Sequence, residues 1–467
     1  MGIIRQTSIG GINVKSNPLG TSGELLRAVN VDPYHVGAWK RRPGFIPYLN
    51  AVDTASVSCM FNFRPGYDGR FWNYRISGGT VYYSTKGTGN WTICGMGTFG
   101  QFGVGAFCSP AISEERLFIG DGTAITRDTG NTGTSFGAAV EAPPSRFFSQ
   151  FQNRIWAGYE YLAAYSNVGT PTDWGNDSSS ISIPGAGYVN QMFKSNDRLV
   201  FCKDSGEMFR YDGDSLVDCA TTMGPSSPQS LGTIEDYRFY LNRLGIWGYG
   251  GGKPQLISNK IEKQIYNDSG LGIAGTAFSN APGIAHRYDY LLSVGSIQED
   301  LTSEGINNAL ILYDYRLNLF RNYSLATRPT AFLSYADASG NQQLSFGDGS
   351  GKCYQMAGTA TTDNGTAITA YIEGFVHGDT FLEKKWNWLR MMFNPGCQAV
   401  IQVAITDTFT KANKQWQTVG QAQNGVVEYG FPSGSRGRFL FYKISDSSIT
   451  TPFEWYGYEI DAEVIKR

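Results

Sequence analysis

Residues 154–156 read Arg-Ile-Trp, and this arrangement of an arginine followed by bulky apolar residues recurs along most of the chain. The other clear copies are Arg70-Phe71-Trp72, Arg116-Leu117-Phe118, Arg198-Leu199-Val200 and Arg238-Phe239-Tyr240, with looser copies at Arg287–Tyr290 and Gln343–Phe346. From Arg70 to Arg287 successive copies lie 38 to 49 residues apart, and the last step is 56. A four-stranded propeller blade repeats every ~40–50 residues. The motif therefore predicts an all-β chain with a six- or seven-bladed β-propeller over residues 51–360.

A second echo supports this period. Residues 117–122 and 344–349 both run from a strand-like stretch into Gly-Asp-Gly. Asp and Gly tolerate the left-handed backbone that a hairpin turn requires, so both segments indicate a strand followed by a turn. A pair of β-sandwiches would also give short strands, but it offers less reason for a steady period.

The period stops after the Gly/Thr-rich stretch Gly358–Thr366, and residues 361–467 are expected to form a β-sandwich-like module. Its strand-like runs are Ala370–Val376, Trp386–Phe393, Ala399–Ile405, Gly425–Phe431, Arg438–Ile444 and Trp455–Ile465. We expect this module to have its own core, built from Trp386, Trp388, Phe439, Phe441 and Trp455. Residues 1–50 form a third piece, expected to lend a strand that closes the propeller ring. Within it, Gly23–Val29 could make a couple of helical turns.

Composition restricts the function. The 467 residues carry 38 Lys plus Arg against 40 Asp plus Glu, a net charge of -2, so the clustered cations of a phosphate-binding protein are not expected. A charged fraction of 17% and 58 glycines with 14% aromatic residues exclude a disordered chain and suit short strands joined by turns. Seven scattered cysteines without a C-x-x-C pair indicate reduced core thiols. Neither a signal peptide nor a membrane-spanning segment is expected.

Catalytic motifs are weak, so we predict no enzyme activity, no catalytic, cofactor-binding or metal-binding residues, and no cofactor. Residues 133–137 fit the G-x-S-x-G pattern but lie in a Gly/Thr-rich loop, where a nucleophile elbow would need a strand before it and a helix after it. The histidines are His35, His286 and His377, each isolated in sequence. Asp121, Asp212, Asp214 and Asp348 are expected in solvated turns. Lys40-Arg41-Arg42 and Lys384-Lys385 are expected on solvated faces.

One segment carries a family resemblance. Gly10-Gly11-Ile12-Asn13 is followed by Val29–Tyr48, in which Asn30, Asp32, Gly37 and Arg42-Pro43-Gly44 stand out. This pattern resembles the N-terminal signature of tail nozzle, or tail hub, proteins of short-tailed bacteriophages (podoviruses), which stabilise packaged DNA. Further stretches are similar to such proteins: Asn153–Trp156, Ala164–Trp174, Gly245–Trp247, Leu256–Ile261 and Lys384–Arg390.

The resemblance implies a structural virion protein of the viral tail, assembled in the host cytoplasm. Its expected partners are further copies of itself in a ring, commonly a hexamer, together with the head-to-tail adaptor and the tailspike or tail fibre and needle proteins. Genomic DNA would pass through the lumen during ejection without sequence-specific binding. Two alternatives stay open: a carbohydrate-active β-propeller (a phage depolymerase, or a sialidase- or lyase-like enzyme) and an intracellular propeller scaffold.

Three long loops are expected to be contact surfaces: Gly120–Pro144, Gly169–Ser180 and Asp300–Asn308. They are rich in Gly, Thr, Ser or Asn. Shortening Gly120–Pro144 is predicted to leave the fold intact while impairing tail completion.

Overall fold

The computed structural model describes most of the chain. The described residues are 2–7, 9–13, 24–34, 37–51, 53–64, 71–95, 108–113, 116–122, 125–128, 134–138, 142–174, 180–219, 221–265, 272–273, 277–298, 305–376, 382–408, 414–422 and 424–465. Within these ranges the chain is almost entirely β-structure, which confirms the predicted all-β class.

Five four-stranded antiparallel sheets follow one another along the chain and form free-standing propeller blades. Blade 1 is β6 Val57–Phe63, β7 Trp72–Ser77, β8 Thr80–Thr85 and β9 Thr92–Ile93. Blade 2 is β10 Ala111–Ser113, β11 Arg116–Gly120, β12 Ile125–Asp128 and β13 Phe136–Ala138. Blade 3 is β14 Phe147–Phe151, β15 Arg154–Tyr159, β16 Leu162–Tyr165 and β17 Ser180–Ser182. Blade 4 is β18 Val189–Ser195, β19 Arg198–Lys203, β20 Met208–Tyr211 and β21 Leu216–Asp218, and blade 5 is β22 Gly232–Ile234, β23 Tyr237–Asn242, β24 Gly245–Tyr249 and β25 Gln255–Leu256.

The repeated motif marks the second strand of these blades. Arg116, Arg154 and Arg198 each begin such a strand. The preceding hairpin turn uses residues in the left-handed region, such as Asn153 with a φ of 54°. The apolar residues of the motif pack between neighbours: Trp156 is 1% exposed, and its ring centroid lies 5.2 Å from that of Tyr211 in blade 4. A local turn and an inter-blade contact together explain the repeat.

The blade count of six or seven was wrong, because the remaining two repeats are not free-standing. Their strands are β26 Gly272–Ile273, β27 Gly283–His286, β28 Asp289–Gln298, β29 Ile306–Asp314 and β30 Leu319–Ser324, then β31 Pro329–Ala336, β32 Gln342–Asp348 and β33 Cys353–Met356. Both groups belong to sheets that continue into strands from the chain's two ends. Five free-standing blades are therefore observed, and the two remaining repeats belong to two of the three larger sheets.

The N-terminal segment supplies several of those added strands. They are β1 Gly2–Gln6, β2 Arg27–Val29, β3 Val31–Tyr34, β4 Ala38–Arg41 and β5 Phe45–Pro47. β2 lies between β30, to which it is parallel, and a C-terminal strand. β5 pairs antiparallel with β33 as the fourth strand of that sheet. The helical turns expected over Gly23–Val29 are wrong where they are described, because the residues of β2 find hydrogen-bond partners on both sides in a sheet.

The C-terminal strands are β34 Thr362–Asp363, β35 Thr366–Ala367, β36 Ala370–Phe375, β37 Lys384–Phe393, β38 Val400–Thr406, β39 Gln417–Gln421, β40 Val426–Gly430, β41 Arg436–Gly437, β42 Phe439–Asp446 and β43 Glu454–Val464. Six of these ten strands, β36, β37, β38, β40, β42 and β43, match the runs read from the sequence. A ten-stranded sheet runs β26-β28-β29-β30-β2-β36-β42-β38-β39, with β27 on β28. A seven-stranded sheet runs β3-β4-β43-β37-β40, with β1 on β43 and β41 on β37, and a six-stranded sheet runs β31-β32-β33-β5-β34-β35.

A separate C-terminal module is not confirmed, because its expected core is shared. Trp386 and Trp455 are buried in one cluster with Trp39 of the N-terminal segment and Tyr290 of β28. Phe439 and Phe441 belong instead to a smaller cluster with Leu26, and Trp388 is only partly buried. The domain limits at residues 50 and 360 stay predictions.

The first strands of the sheets surround a central cavity of about 200 Å³. β6 contacts β31, β31 contacts β27, and β27 contacts β22, while β14 contacts both β10 and β18. The cavity lining includes Cys59, Cys108, Gln191, Leu231, Ile284 and Phe332. The two α-helices among the described residues, α1 Glu262–Ile265 and α2 Ala277–Asn280, have four residues each, far too few to cross a membrane.

Candidate functional site

Asn30, Asp32 and Arg42 of the N-terminal pattern lie at a largely buried cluster of ion pairs between the N-terminal segment, the ten-stranded sheet and the C-terminal strands. We call it the arginine hub. Its members are Arg41, Arg42 and Arg321 with their acidic partners Asp446, Asp363, Asp32 and Asp289.

Asn30 links three chain segments at the hub. It follows β2 with a φ of 58°, a conformation that asparagine adopts more readily than most residues. Its side-chain oxygen accepts hydrogen bonds from the Arg42 Nε at 2.8 Å and from the backbone N–H of Ser324 at 2.8 Å. Its Nδ2 donates to the carbonyl of Thr369 at 2.7 Å. One side chain thus joins the N-terminal segment to β30 and to the turn before β36.

Arg42 has every guanidinium N–H donor satisfied. Beyond Asn30, it makes two parallel bonds to the Asp363 carboxylate, of 2.8 and 2.7 Å. It also donates to the carbonyls of Pro43 at 2.9 Å and Ser324 at 3.1 Å. The side chains of Arg42 and Asp363 are 0% and 3% exposed. A buried pair is stable only when its geometry is good and its remaining hydrogen-bonding groups are met, as they are here.

Gly44 is required by a close backbone approach. A Cβ at this position would lie 1.9 Å from the carbonyl oxygen of Thr362. The Gly44 N–H donates to the carbonyl of Ala360 at 2.7 Å, and its own carbonyl accepts from Ala357 at 3.1 Å. Pro43 and Gly44 therefore bring the chain against the strand that carries Asp363.

Arg41 points to a different partner and is less well satisfied. It pairs with Asp446 at 3.2 Å and donates to the carbonyl of Ser448. Its Nε and Nη2 are buried without a hydrogen-bond partner among the described residues. Burial lowers the pKa of Arg41 and raises the pKa of Asp446. Both directions indicate that desolvation opposes this pair.

Arg321 joins two carboxylates. Its Nε lies 2.7 Å from Asp32, and its two terminal nitrogens lie 3.1 and 2.9 Å from the oxygens of Asp289. Burial alone would lower the pKa of Arg321, but Asp289 and Asp32 together raise it well above its ordinary value. The Tyr323 hydroxyl donates to Asp32, and burial followed by the Asp32 charge raises the pKa of this phenol.

The hub joins distant segments of the chain, and each of its carboxylates is paired with an arginine. Each of its four carboxylates contacts a guanidinium, so none is an unoccupied proton acceptor facing a substrate. A crevice of about 460 Å³ lies beside it, lined by residues that include Arg27, Asn30, Asp363, Tyr371 and Lys443. In this crevice Arg27 lies 4.7 Å and Lys443 5.9 Å from the Tyr371 ring centroid.

The cationic runs were wrongly expected on solvated faces. Arg41 and Arg42 are buried in the hub, and only Lys40 of that run is partly exposed. Lys384 is 4% exposed and donates to the carbonyls of Leu382 and Arg438, at 3.3 and 3.4 Å. Two or three adjacent charges gave no sign of burial because their partners are distant in sequence.

The other suspected catalytic residues have ordinary surroundings where they are described. His35 and His377 lie outside the described residues. His286 is partly buried, with its Nδ1 3.0 Å from the Ser334 hydroxyl. Burial, followed by the nearby Arg287 charge, lowers the pKa of His286 to about 4. This pair was missed because Ser334 lies on β31, a different sheet.

The G-x-S-x-G segment does not form an elbow. Gly133 lies outside the described residues, and Ser135 forms a bridge with Gly95. Phe136 and Gly137 belong to β13, so a strand, and no helix, follows the serine. Among the described residues no group of three His, Cys, Asp or Glu side chains is placed to hold a metal ion.

The suspected calcium-type aspartates are not all in solvated turns. Asp348 is 3% exposed and accepts from Ser350 and Lys352. Asp121 is also buried, at 8% exposure. Asp212 does lie in an exposed turn, where it accepts from the backbone of Asp214 and Ser215.

The expected contact loops are largely structured where described. Gly120–Pro144 contains β12 and β13, which pair with each other inside blade 2. The expectation that this segment lies between blade strands was therefore wrong, while the effect of shortening it stays a prediction. Residues 300–304 and 175–179 of the other two loops lie outside the described residues, while Ile306–Asn308 belong to β29.

Sequence reasoning missed Arg321, Asp289, Asp363 and Asp446. The sequence signal covered Asn30, Asp32 and Arg42, through the N-terminal pattern that ends in Arg42-Pro43-Gly44. The partner of Arg42, Asp363, lies 321 residues away in a Gly/Thr-rich stretch that looked like a linker. The role of Asp363, which lies inside that stretch, could have been recognised only from the pairing of β34 with β5.

No protein-family model and no curated protein matches the chain. Among solved structures it is similar to the computationally designed Ika8 protein, with a TM-score of 0.41, 10% identity and coverage of 67% of this chain and 99% of that one. It is also similar to YCF48 from Cyanidioschyzon merolae, with a TM-score of 0.43, 11% identity and coverage of 67% and 98%. A third is the extracellular domain of a protein described as a one-component system from B. thetaiotaomicron, with a TM-score of 0.45, 10% identity and coverage of 89% and 59%. At these identities and TM-scores the likenesses carry no argument about function.

Proposed function

We propose that this chain is a structural protein of a short-tailed bacteriophage virion, a tail nozzle or tail hub that forms part of the DNA ejection channel and retains packaged DNA. The observation that carries the proposal is the hub. The N-terminal pattern that resembles such proteins supplies Asn30, Asp32, Arg42 and Gly44, and each of them makes a buried or partly buried contact that ties chain segments together.

Buried polar residues that join distant segments suit a protein that must withstand mechanical load. Arg42, Asn30 and Asp363 connect β30, β34 and the N-terminal segment through hydrogen bonds that are shielded from water. Such a connection resists relative movement of the ring and the C-terminal strands. The wall of a channel that holds pressurised DNA needs that resistance, whereas catalysis needs accessible groups.

The charge distribution supports passage of DNA without tight binding. The net charge is -2, and Arg41, Arg42 and Lys384 from the densest cationic runs are buried in contacts within the protein. Tight binding to duplex DNA depends on cations that replace the counterions of the phosphates. We therefore expect at most weak, salt-sensitive DNA binding by the isolated subunit.

The expected partners follow from the proposal. Copies of the chain form a ring, commonly of six, below the head-to-tail adaptor and in contact with tailspike or fibre and needle proteins. The two repeats built into larger sheets lie between blades 5 and 1, where β22 contacts β27, β27 contacts β31 and β31 contacts β6. They would act as the remaining sectors of the propeller, and the C-terminal strands would form a sandwich-like outer part.

Electron microscopy of virions tests the role. An epitope tag inserted in the exposed turn at Gly340, where a side chain would meet nothing within 4 Å, should leave the fold intact. Gold-labelled antibody is expected at the tail tip. Particles made without this gene product should fill with DNA and then lose it, and complementation with the tagged gene should restore retention.

Two results would contradict the proposal. The first is failure of the microscopy or retention test: antibody label away from the tail, or gene-deficient particles that keep their DNA and infect normally. The other is reproducible cleavage of host polysaccharide by the purified protein, abolished by a single carboxylate substitution, which would favour the carbohydrate-active alternative.

A further inference from the structure

Two cysteines from neighbouring blades lie side by side at the central cavity. Cys59 is in β6 of blade 1, and Cys108 precedes β10 of blade 2. Their sulfur atoms are 3.9 Å apart, and the residues are 4% and 1% exposed. Both line the cavity of about 200 Å³. The two thiols are therefore in contact across a blade boundary.

The surrounding backbone can accommodate a shorter separation. A disulfide bond is about 2.05 Å long, so the sulfurs would have to approach by a little under 2 Å. The register of β6 against β7 shifts between Val57 and Cys59. An irregularity of this kind loosens the local ladder, so Cys59 can move more easily than a residue in regular pairing.

The two thiols contact each other directly. The Cys59 thiol donates to the Cys108 carbonyl at 3.3 Å, and either sulfur can donate to the other. Because the thiolate is the reactive form, whichever thiol loses its proton attacks the oxidant, and the other thiol resolves the product. The cavity that both sulfurs line is several times the volume of a water molecule, which is about 30 Å³ in the liquid, so an oxidant of similar size fits.

We propose that Cys59 and Cys108 form a redox-sensitive pair that hydrogen peroxide converts to a disulfide linking blades 1 and 2. One of the two thiolates attacks one peroxide oxygen, the O–O bond breaks, and the departing hydroxide takes a proton to become water. The other thiol then attacks the sulfenic sulfur, the S–O bond breaks, and the proton of that thiol leaves with the oxygen as a second water. Two thiols lose two electrons and two protons in all, and one peroxide becomes two waters.

The consequence is a covalent link between two blades that are otherwise joined by packing and by backbone hydrogen bonds between Gly95 and residues 134–136. The link closes the chain between residues 59 and 108, which restricts the unfolded chain and slows separation of the two blades. A protein made in reducing cytoplasm would carry the thiols, and the same protein in an oxidising medium would carry the disulfide. The pair would behave in this way whatever the role of the protein.

Peroxide treatment of the folded, fully reduced protein tests the proposal. Intact mass should fall by two hydrogens, and a non-reducing digest should contain a peptide pair joined through Cys59 and Cys108. The thermal midpoint should rise and return to its starting value with dithiothreitol. Cys397→Ser, which removes a buried thiol in the C-terminal region, serves as the control and should retain the cross-link and the shift.

A second variant separates chemistry from folding. In Cys108→Ser the Cys59 sulfenic acid has no resolving thiol and should be captured by dimedone. If that variant does not fold, alkylation of the peroxide-treated wild-type protein is the deciding measurement. The proposal requires that Cys59 and Cys108 lose their reactivity toward the alkylating reagent together. The proposal is overturned if treated wild type keeps both thiols, gains oxygen at one cysteine without a cross-link, or joins a different pair.

Discussion

The five blades and the arginine hub use arginine in opposite ways. In blade 3, Arg154 begins a strand that pairs with strands before and after it in sequence, and its guanidinium lies 4.7 Å from the ring of Tyr165 in the same blade. In the hub, Arg42 contacts Asp363, 321 residues along the chain, in a setting without water. A blade is assembled from neighbouring hairpins, whereas the hub exists only when distant segments have already met.

The two regions also differ in how much stability is lost when an arginine loses its partner. An arginine near the surface of a blade can exchange its partner for water when that partner is lost. A buried hub carboxylate cannot, because it would remain charged and unsolvated. Breaking the buried Arg42–Asp363 pair should therefore cost more stability than breaking an exposed ion pair. Four experiments, in decreasing order of expected effect, measure the contrast.

Arg42→Ala should have the largest effect. It leaves the buried Asp363 carboxylate and the Asn30 oxygen without their main donor, and breaking a buried pair costs about 3–5 kcal/mol. Denaturant unfolding measures the loss. The matched control is Glu428→Ala, which breaks the surface pair with Arg390, whose side chains are 43% and 61% exposed, and should change stability by less than about 1 kcal/mol. Equal losses in the two variants would remove the distinction between hub and surface.

His286 should make stability depend on pH. Its folded pKa of about 4 lies below the ordinary 6.5, so the unfolded chain binds more protons between these values. The contribution is present above pH 6.5 and is lost as pH falls toward 4, by at most about 3 kcal/mol. His286→Gln, which keeps a hydrogen-bonding group toward Ser334, should flatten this part of the curve. An unchanged slope in the variant would show that other groups cause it.

Gly44→Ala should destabilise by about 1–3 kcal/mol, since the added carbon meets the backbone of Thr362 and the two strands must move apart. Gly358→Ala is the neighbouring control, because a side chain there meets nothing within 4 Å. Thermal unfolding of the two variants side by side gives the comparison. A harmless Gly44→Ala would mean that the N-terminal segment is not held closely against β34.

The Arg41–Asp446 pair should contribute least. Its guanidinium is incompletely satisfied, and burial opposes both charges. Replacing both members, as Arg41→Met with Asp446→Leu, should change stability by less than about 1 kcal/mol, because apolar replacements of a buried pair are often neutral. Arg41→Met alone should cost more than the double variant. If the double variant falls as far as Arg42→Ala, the two arginines are equivalent and the ranking within the hub is wrong.

Much of the β-structure could be read from the sequence. The Arg-Leu-Val motif at Arg198 correctly marked a blade strand, and Ala370–Val376 correctly marked β36. Both are local signals: a turn residue with positive φ, followed by side chains that alternate or pack against the next hairpin. The same reading failed over Gly120–Pro144, where a Gly/Thr-rich composition concealed β12 and β13. Those strands depend on pairing with each other and with β11 more than on their own preference.

The sequence by itself determined the all-β class and the repeat that becomes the blades, and it marked Arg42-Pro43-Gly44 as part of a distinct N-terminal pattern. Only the tertiary structure decided that two repeats would lose their independence to strands from the chain ends, and that Arg42 would meet Asp363. The physical reason is the range of the interactions. A hairpin closes over a few residues and is encoded where it forms, whereas a buried ion pair gains its strength from exclusion of water, which arises only after residues 27–47 have packed against residues 319–324 and 362–446.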